Sequence, residues 1–316
     1  MELINLLNYA LFFLTLASVY AILTLALNLQ WGLTGLFNLG IAGFFAVGAY
    51  TSAILTTPEH AGYVGGFDLP IFVGAIAAMI TSSIVAVIIG LITVRLRTDY
   101  LAIASIGVAE IIRLYFKNAE WLTNGVRGIP GIPRPFGGQP VLLLLLLLAI
   151  VIAVYFLVER ARISPWGRVL RAQRENEDGT LAAGKNTNRF RLESFVVGSA
   201  LMGLAGALYA HFIGFITPQA FQPLYGTFLV WVMLIAGGSG NTLGALLGGF
   251  AIWLIWSGTQ ILADFLPSTF STQAGAVRVL LIGLLLEIVL LLRPQGLIPE
   301  KRTALVPRKK SDKGKG

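Results

Sequence analysis

Residues 141–148 are one Val followed by seven Leu, and no position in that run is polar. Apolar runs recur along the whole chain and constrain it more than any other feature. Bilayer hydrocarbon is about 30 Å thick and takes about 20 apolar residues per helical crossing. Inside it every backbone N–H and C=O must be bonded within its own helix or in a closed barrel. Barrel strands alternate polar and apolar positions, whereas 141–148 does not. These runs are therefore read as transmembrane helices. The chain is 56% hydrophobic and only 12% charged, with mean hydropathy +0.79. A soluble domain carries roughly 25% charged residues, so this chain lacks the polar surface to fold in water.

On the bilayer ruler the length suits roughly eight to ten spans. The expected fold is an all-α integral membrane protein, a polytopic bundle of about 8–10 transmembrane helices. Candidate spans cover about 5–28, 33–56, 69–93, 99–116, 139–158, 192–216, 223–240, 241–262 and 274–292. The start, 1–28, has no basic leader and no A-x-A site and reads as the first span. There is no cysteine, which excludes disulfides, thiolate metal sites and thiol nucleophiles. No catalytic residue and no metal site are expected.

Loop 159–191 carries Arg160, Arg162, Arg168, Arg171, Arg174, Lys185, Arg189 and Arg191. The stretch after Leu292 is similarly basic, from Arg293 through Lys301, Arg302 and Arg308 to Lys315. Excess Lys and Arg marks the cytoplasmic side. Four spans separate the two stretches, so both can be inside. The expected division is a membrane domain over 1–292, with its cytoplasmic loop 159–191, and a basic cytoplasmic tail over 293–316. Loop 117–138 then lies outside; its Gly and Pro content breaks regular structure. It reads as a cap, or as a lid facing substrate or partner.

Small residues recur at spacing four in Gly240, Gly244 and Gly248 and in Ser199, Gly203 and Ala207, with Gly206 and Ala210 alongside. Such rows let helices approach closely in lipid. A less regular set, Gly32, Gly35, Gly40, Gly43 and Gly48 with Asn38, reads as a helix broken near its start. Gly-interrupted segments in both halves of a chain point to a transport pathway. The expected pathway has Asn38, Gly40 and Gly43 on one side and Gly238 and Asn241 on the other. Ionisable groups within spans are Glu110, Arg113 and Glu287, with Arg278 near an end. Glu110 and Arg113 lie three apart on one helix face and are expected to pair, rather than to form a proton relay with His211.

Within the basic loop, Gly179 through Gly184, Lys185 and Asn186 nearly spells a phosphate-binding loop. That motif needs a preceding strand and a hydroxyl after the Lys; here polar RAQRENED precedes it and Asn186 replaces the hydroxyl. Local signals favour helices instead. Ser164 with Pro165 starts one, whose Trp166, Val169 and Leu170 face away from Arg168, Arg171 and Arg174, as in a helix lying on an anionic leaflet. Asn176 caps a second, with Glu177 and Asp178 at its positive end and Gly184 ending it. A short helix held between two spans suits docking to another protein.

Asp178-Gly179-Thr180, three residues, then Gly184 resembles the coupling signature of ABC importer permeases, although Gly179 and Thr180 depart from its usual Glu-Ala-Ala. SPWGRVLRAQRENE (164–177), FVVGSALMGLAGALYA (195–210), GLFNLGIAGFFAVGAY (35–50), TDYLAIASIGVAEIIR (98–113), IAGGSGNTLGALLGG (235–249) and LRPQGL (292–297) resemble the branched-chain amino acid permeases. The resemblance implies a permease subunit of a bacterial-type plasma (inner) membrane importer working by alternating access. It implies a second homologous permease, two ATP-binding subunits that hold ATP and Mg, and an extracytoplasmic substrate-binding protein. It places coupling to the ATPase at Glu177, Asp178, Gly179, Thr180, Leu181, Ala182, Ala183 and Gly184. No cofactor is assigned to this chain, and its surroundings are the lipid bilayer rather than nucleic acid. Close relatives carry urea, short amides or other amino acids. A stand-alone ion-coupled secondary transporter and a non-transporting membrane scaffold are the competing readings.

Overall fold

A computed structural model describes residues 2–59, 62–96, 98–264, 280, 283–284, 287–288, 291 and 295–300. Most of the expected span 274–292, with Arg278, and the tail residues Arg293 and 301–316 lie outside the described residues. The long helices are α1 (Glu2–Leu27), α2 (Ile41–Thr56), α3 (Ile71–Thr93), α4 (Thr98–Asn118), α6 (Pro140–Ile163), α9 (Thr187–Ile213) and α11 (Thr242–Asp264). Shorter ones are α5 (Glu120–Thr123), α7 (Pro165–Glu175), α8 (Glu177–Ala182) and α10 (Leu229–Gly237).

Among the described residues four helices are long and apolar enough to cross a membrane: Leu7–Gly32, Ile71–Thr93, Pro140–Ile163 and Thr187–Ile213. Three further apolar helices among the described residues are shorter: Ile41–Thr56, Leu224–Gly237 and Thr242–Gly258. The expected spans 33–56 and 223–240 are thus shorter helices with irregular backbone at one end. α4 carries Asp99, Glu110, Arg113 and Lys117, too much charge for an ordinary apolar crossing.

α9 is the axis of the bundle. Its 27 residues span about 40 Å at 1.5 Å per residue. α2 runs beside it in the same direction. Gly48 faces Gly203, Gly206 faces Phe45 and Ala49, and Ser52 Oγ meets His211 Nε2 at 2.8 Å. A side chain at Gly48 would fall on the Gly203 backbone, and ones at Gly244 and Gly248 on the backbone of Gly237 and Met233, so these are close-packing positions, whereas Gly240 lies in the turn before α11. α3 runs opposite, from Gly74 against Ser52 and Thr56 to Gly90 against Leu192 and Phe195. α4 returns alongside α2, from Ser105 at Gly40 to Phe116 stacked on Tyr50.

Those directions put α7, α8 and segment 295–300 together at one end, joined by Arg174 and Glu300 at 2.7 Å. Loop 117–138 sits at the other. There β1 (Ile129–Pro130) pairs antiparallel with β2 (Phe215–Ile216), Ile129 opposite Ile216. Arg134 Nη2 also donates to Ile213 O at 2.6 Å, and His211 Nδ1 lies 2.8 Å from Pro133 O. His211 therefore ties the loop to α9 and α2.

Candidate functional site

α1 continues as a π-helical turn over Asn28–Gly32. Such wide turns occur as single turns inside helices. Gly32 closes it without a side chain because one there would strike Asn28 and come 2.6 Å from Gly240 N. Gly35 then takes φ +75°, and the chain stays out of helix until Ile41. Irregular backbone at membrane depth needs partners within the protein, and side chains supply them. Gln30 Nε2 donates to Phe195 O at 2.8 Å and Asn38 Nδ2 donates to Gln30 Oε1 at 2.8 Å. Gly40 N donates to Asn38 Oδ1 at 2.7 Å, and Leu39 N to Ser105 Oγ at 2.9 Å. Gln30 and Asn38 are fully buried.

A second break enters from the opposite end. α9 stops at Gly214, φ +76°, and the chain passes through β2 and a 3-10 turn at Pro218–Phe221. A second π-helical turn, Leu224–Phe228, leads into α10. The two breaks meet. Ala42 N donates to Thr227 Oγ1 at 3.1 Å, Thr227 Oγ1 to Leu39 O at 3.3 Å, and Trp231 Nε1 to Asn38 O at 3.0 Å. Trp31, Phe37 and Trp231 gather at the junction with ring centroids 4.7–5.3 Å apart.

Of the residues expected along a pathway, Asn38 and Gly40 form the first break. Gly43 packs on α4, where a side chain would come 2.9 Å from Ala109 Cα. Gly238 and Asn241 do not face them; the residues that do are Thr227 and Trp231. Gly238 has φ +112° and sits in a turn where Leu297 N donates to Ala236 O at 2.8 Å and Ile298 N to Gly237 O at 3.0 Å. Asn241 caps α11, its Oδ1 accepting from Leu243 N at 3.0 Å and Gly244 N at 3.2 Å, while its Nδ2 donates to Pro299 O at 3.0 Å. The glycine-rich regions touch lower down, where Gly240 N donates to Asn28 Oδ1 at 2.8 Å. Sequence reasoning missed Gln30, Thr227 and Trp231. Amides at 28 and 30 inside an apolar run were the available signal.

Glu110 and Arg113 form the expected ion pair on α4, Arg113 Nε donating to Glu110 Oε2 at 2.8 Å. Glu287 is helical and exposed. Among the described residues no cluster of three or more His, Asp and Glu could hold a metal ion.

The loop helices form where their caps require. Ser164 Oγ accepts from Gly167 N at 3.2 Å to start α7. Asn176 Oδ1 accepts from Gly179 N at 2.8 Å to start α8. Gly184 ends α8 with φ +75°, and Lys185 N donates back to Thr180 O at 3.2 Å. Glu177 fixes α8 to α9 by accepting from Arg191 Nη2 at 2.8 Å and Thr187 Oγ1 at 3.2 Å. Thr180 is buried, whereas Asp178, Gly179, Leu181, Ala182, Ala183 and Gly184 are exposed. A groove of about 600 Å³ runs between α7 and α8, lined by Val169, Ala172, Gly179, Thr180 and Ala183 among others. Of the arginines expected to face a leaflet, Arg168 is exposed, whereas Arg171 and Arg174 are not spread outward. Arg171 Nη2 donates to Arg162 O at 3.4 Å, and Arg174 donates to Gly32 O and to Glu300. Arginine finds fixed carbonyl and carboxylate acceptors there, so that face is turned into the protein.

A model of the family described as "Branched-chain amino acid transport system / permease component" matches residues 9–290. The chain is 31% identical to the high-affinity branched-chain amino acid transport system permease protein LivM of Salmonella typhimurium, covering 96% of this chain and 72% of that protein. A probable LivM of Methanocaldococcus jannaschii is 30% identical over 92% of this chain and 94% of its own length. The LivH permease protein of Salmonella typhimurium is 27% identical over 90% and 92%. No solved structure matches. The chain belongs to the branched-chain amino acid transport permease family and is a multi-pass membrane protein of it.

Proposed function

We propose that this chain is the transmembrane permease subunit of an ABC importer for branched-chain amino acids, driven by separate ATP-hydrolysing subunits. The observation that carries the reading is the meeting of two helix breaks that enter from opposite ends. In this structure the N–H of Ala42 at the start of α2 donates to Thr227 Oγ1. Parting the breaks frees that N–H at the positive end of a helix, which favours a substrate carboxylate. Trp31, Phe37 and Trp231 offer a matching apolar surface for an aliphatic side chain. The names of the relatives support the substrate, and their LivM and LivH kinds support a second, similar permease as partner. Loop 159–191 and the tail lie in the cytoplasm on the strength of their Lys and Arg. There α8 and its groove meet the ATPase, and an external binding protein delivers substrate at the other end.

The test is co-purification with candidate ATPase subunits, then ATP hydrolysis in proteoliposomes with leucine, isoleucine, valine, urea and a short amide. Stimulation by the three branched amino acids is expected. Transport without an ATPase, or stimulation by urea alone, overturns the reading. Ala183→Arg is expected to abolish ATPase retention and transport while the chain still inserts, because residue 183 lines the groove. Sidedness is read with Asn186→Cys and Val126→Cys, both at exposed positions: an impermeant thiol reagent on intact cells is expected to label position 126 alone.

A further inference from the structure

Arg174 stands in the last turn of α7, just before α8, yet its guanidinium leaves the loop. Nη1 donates to Gly32 O at the end of the first π-turn, and Nη2 donates to Glu300 Oε2 at 2.7 Å. Its stem lies on Gly35, where a side chain would meet Arg174 Cγ at 3.1 Å. Glu300 lies against Gly240, where a side chain would come within 2.7 Å of its carboxylate. The residues before Glu300 bond Ala236, Gly237 and Asn241. Four pieces of chain therefore converge on the Arg174–Glu300 pair: α7 and the first break at the guanidinium, the α10–α11 turn and segment 295–300 at the carboxylate. Glycine at 35 leaves room for the Arg174 stem, and glycine at 240 leaves room for the Glu300 carboxylate.

We infer that Arg174, with Glu300, is a positioning residue that carries a displacement of the α7–α8 unit to both helix breaks. The inference rests on the coupling role proposed for α8. Gly32 closes the turn that holds Asn28 and Gln30; Gln30 holds Asn38, and Asn28 holds Gly240. A pull on Gly32 thus acts on the first break directly and on the base of α10 through Asn28. A guanidinium suits the task because its planar fork holds two acceptors in fixed directions, which a single ammonium does not. The pair is about three-quarters buried, 23% and 25% exposed, so salt screens it less than a surface pair.

The test uses the assembled transporter in proteoliposomes, measuring ATPase co-purification, ATP hydrolysis and transport per ATP. Arg174→Ala is expected to keep the ATPase bound and hydrolysing while transport per ATP falls about tenfold, the scale of one charge-assisted hydrogen bond. Arg174→Lys, which keeps one directed bond, should fall between Ala and wild type. Glu300→Gln, which keeps an acceptor without charge, should lower transport per ATP by about threefold. Unchanged transport per ATP in Arg174→Ala overturns the inference. Loss of the ATPase to the extent seen with Ala183→Arg also overturns it, because Arg174 then serves docking. Should Arg174→Ala fail to insert, Glu300→Gln decides, and normal coupling in it is fatal to the idea. The parent reading fails separately, when the unaltered chain retains no ATPase or transports without ATP.

Discussion

The first helix break and the second do the same geometric work with different chemistry. In the first, the amides of Gln30 and Asn38 bond each other, Gln30 also reaches Phe195 O and, at 3.3 Å, Ser199 Oγ, and Asn38 Oδ1 and Ser105 Oγ accept from the irregular backbone at 2.7 and 2.9 Å. In the second, proline at 218 and 223 and glycine at 226 shape the path, and the hydroxyl of Thr227 serves the seam. The bonds that join the two are longer: 3.1 and 3.3 Å through Thr227 and 3.0 Å through Trp231. Neutral hydrogen bonds contribute about 0.5–1.5 kcal/mol each, whereas stranding a buried partner costs about 1–3. The first break is therefore expected to hold as a unit, and the seam between the breaks to part first.

The largest effect should come from Asn38→Leu. It removes the donor to Gln30 Oε1 and the acceptor for Gly40 N. Two stranded buried groups cost about 2–6 kcal/mol together, enough to lower the amount of folded protein in membranes and abolish transport. Detergent-extracted yield and leucine uptake measure both; normal uptake would show that the first break is not rigid. Gly40→Leu comes next. A side chain there starts 2.9 Å from Ser105 O and 3.0 Å from Asn38 Oδ1. It should cut uptake by more than about tenfold, from overpacking of about 1–3 kcal/mol, while the chain still assembles with its partners.

Thr227→Val probes the seam alone. The shape is nearly kept, two bonds are lost, and the seam weakens by about 1–3 kcal/mol. The protein should fold, but ATP hydrolysis without substrate should rise about threefold or more and respond less to leucine. Unchanged basal hydrolysis would mean that the seam is not where the halves part.

Much of this was legible in the residues. The apolar runs gave the membrane bundle, and the caps Ser164, Asn176 and Gly184 located both loop helices because capping is local chemistry. The glycine and Asn38 pattern located the first break. Periodicity did not reveal that 35–40 is irregular, since that stretch stays largely apolar and sits inside a run that reads as a full span, whereas the irregular 217–222 falls between two expected spans. Arg174 was read as a lipid-facing cation because its acceptors, Gly32 and Glu300, lie 142 and 126 residues away in sequence. The partner of Asn38 was misplaced for the same reason. Gly238 and Asn241 carry the glycine-and-amide pattern, whereas the facing residues, Thr227 and Trp231, look like ordinary members of an apolar helix.

Asn241→Ala should have the smallest effect and draws the sharpest line between the two regions. Both Asn38 and Asn241 lie beside glycines, and both accept backbone N–H bonds through Oδ1. Asn38 is fully buried at the meeting of the breaks, whereas Asn241 sits at the start of α11 beside a cavity of about 140 Å³ lined by Tyr155, Glu159 and Arg162. Its amide group does what an N-cap does, and removing a cap costs about 0.5–2 kcal/mol. The bond to Pro299 is partly exposed, so water can replace it when the side chain is cut. The thermal midpoint in detergent should drop by a few degrees, about 2–4 °C per kcal/mol for larger domains. The KM for leucine should not move. A residue lining the path would behave otherwise: losing a polar contact with the moving substrate would shift KM with little change in stability. A tenfold rise in KM with an unchanged midpoint would put Asn241 back on the pathway and make the C-terminal end of α10, rather than its start, the surface that substrate passes.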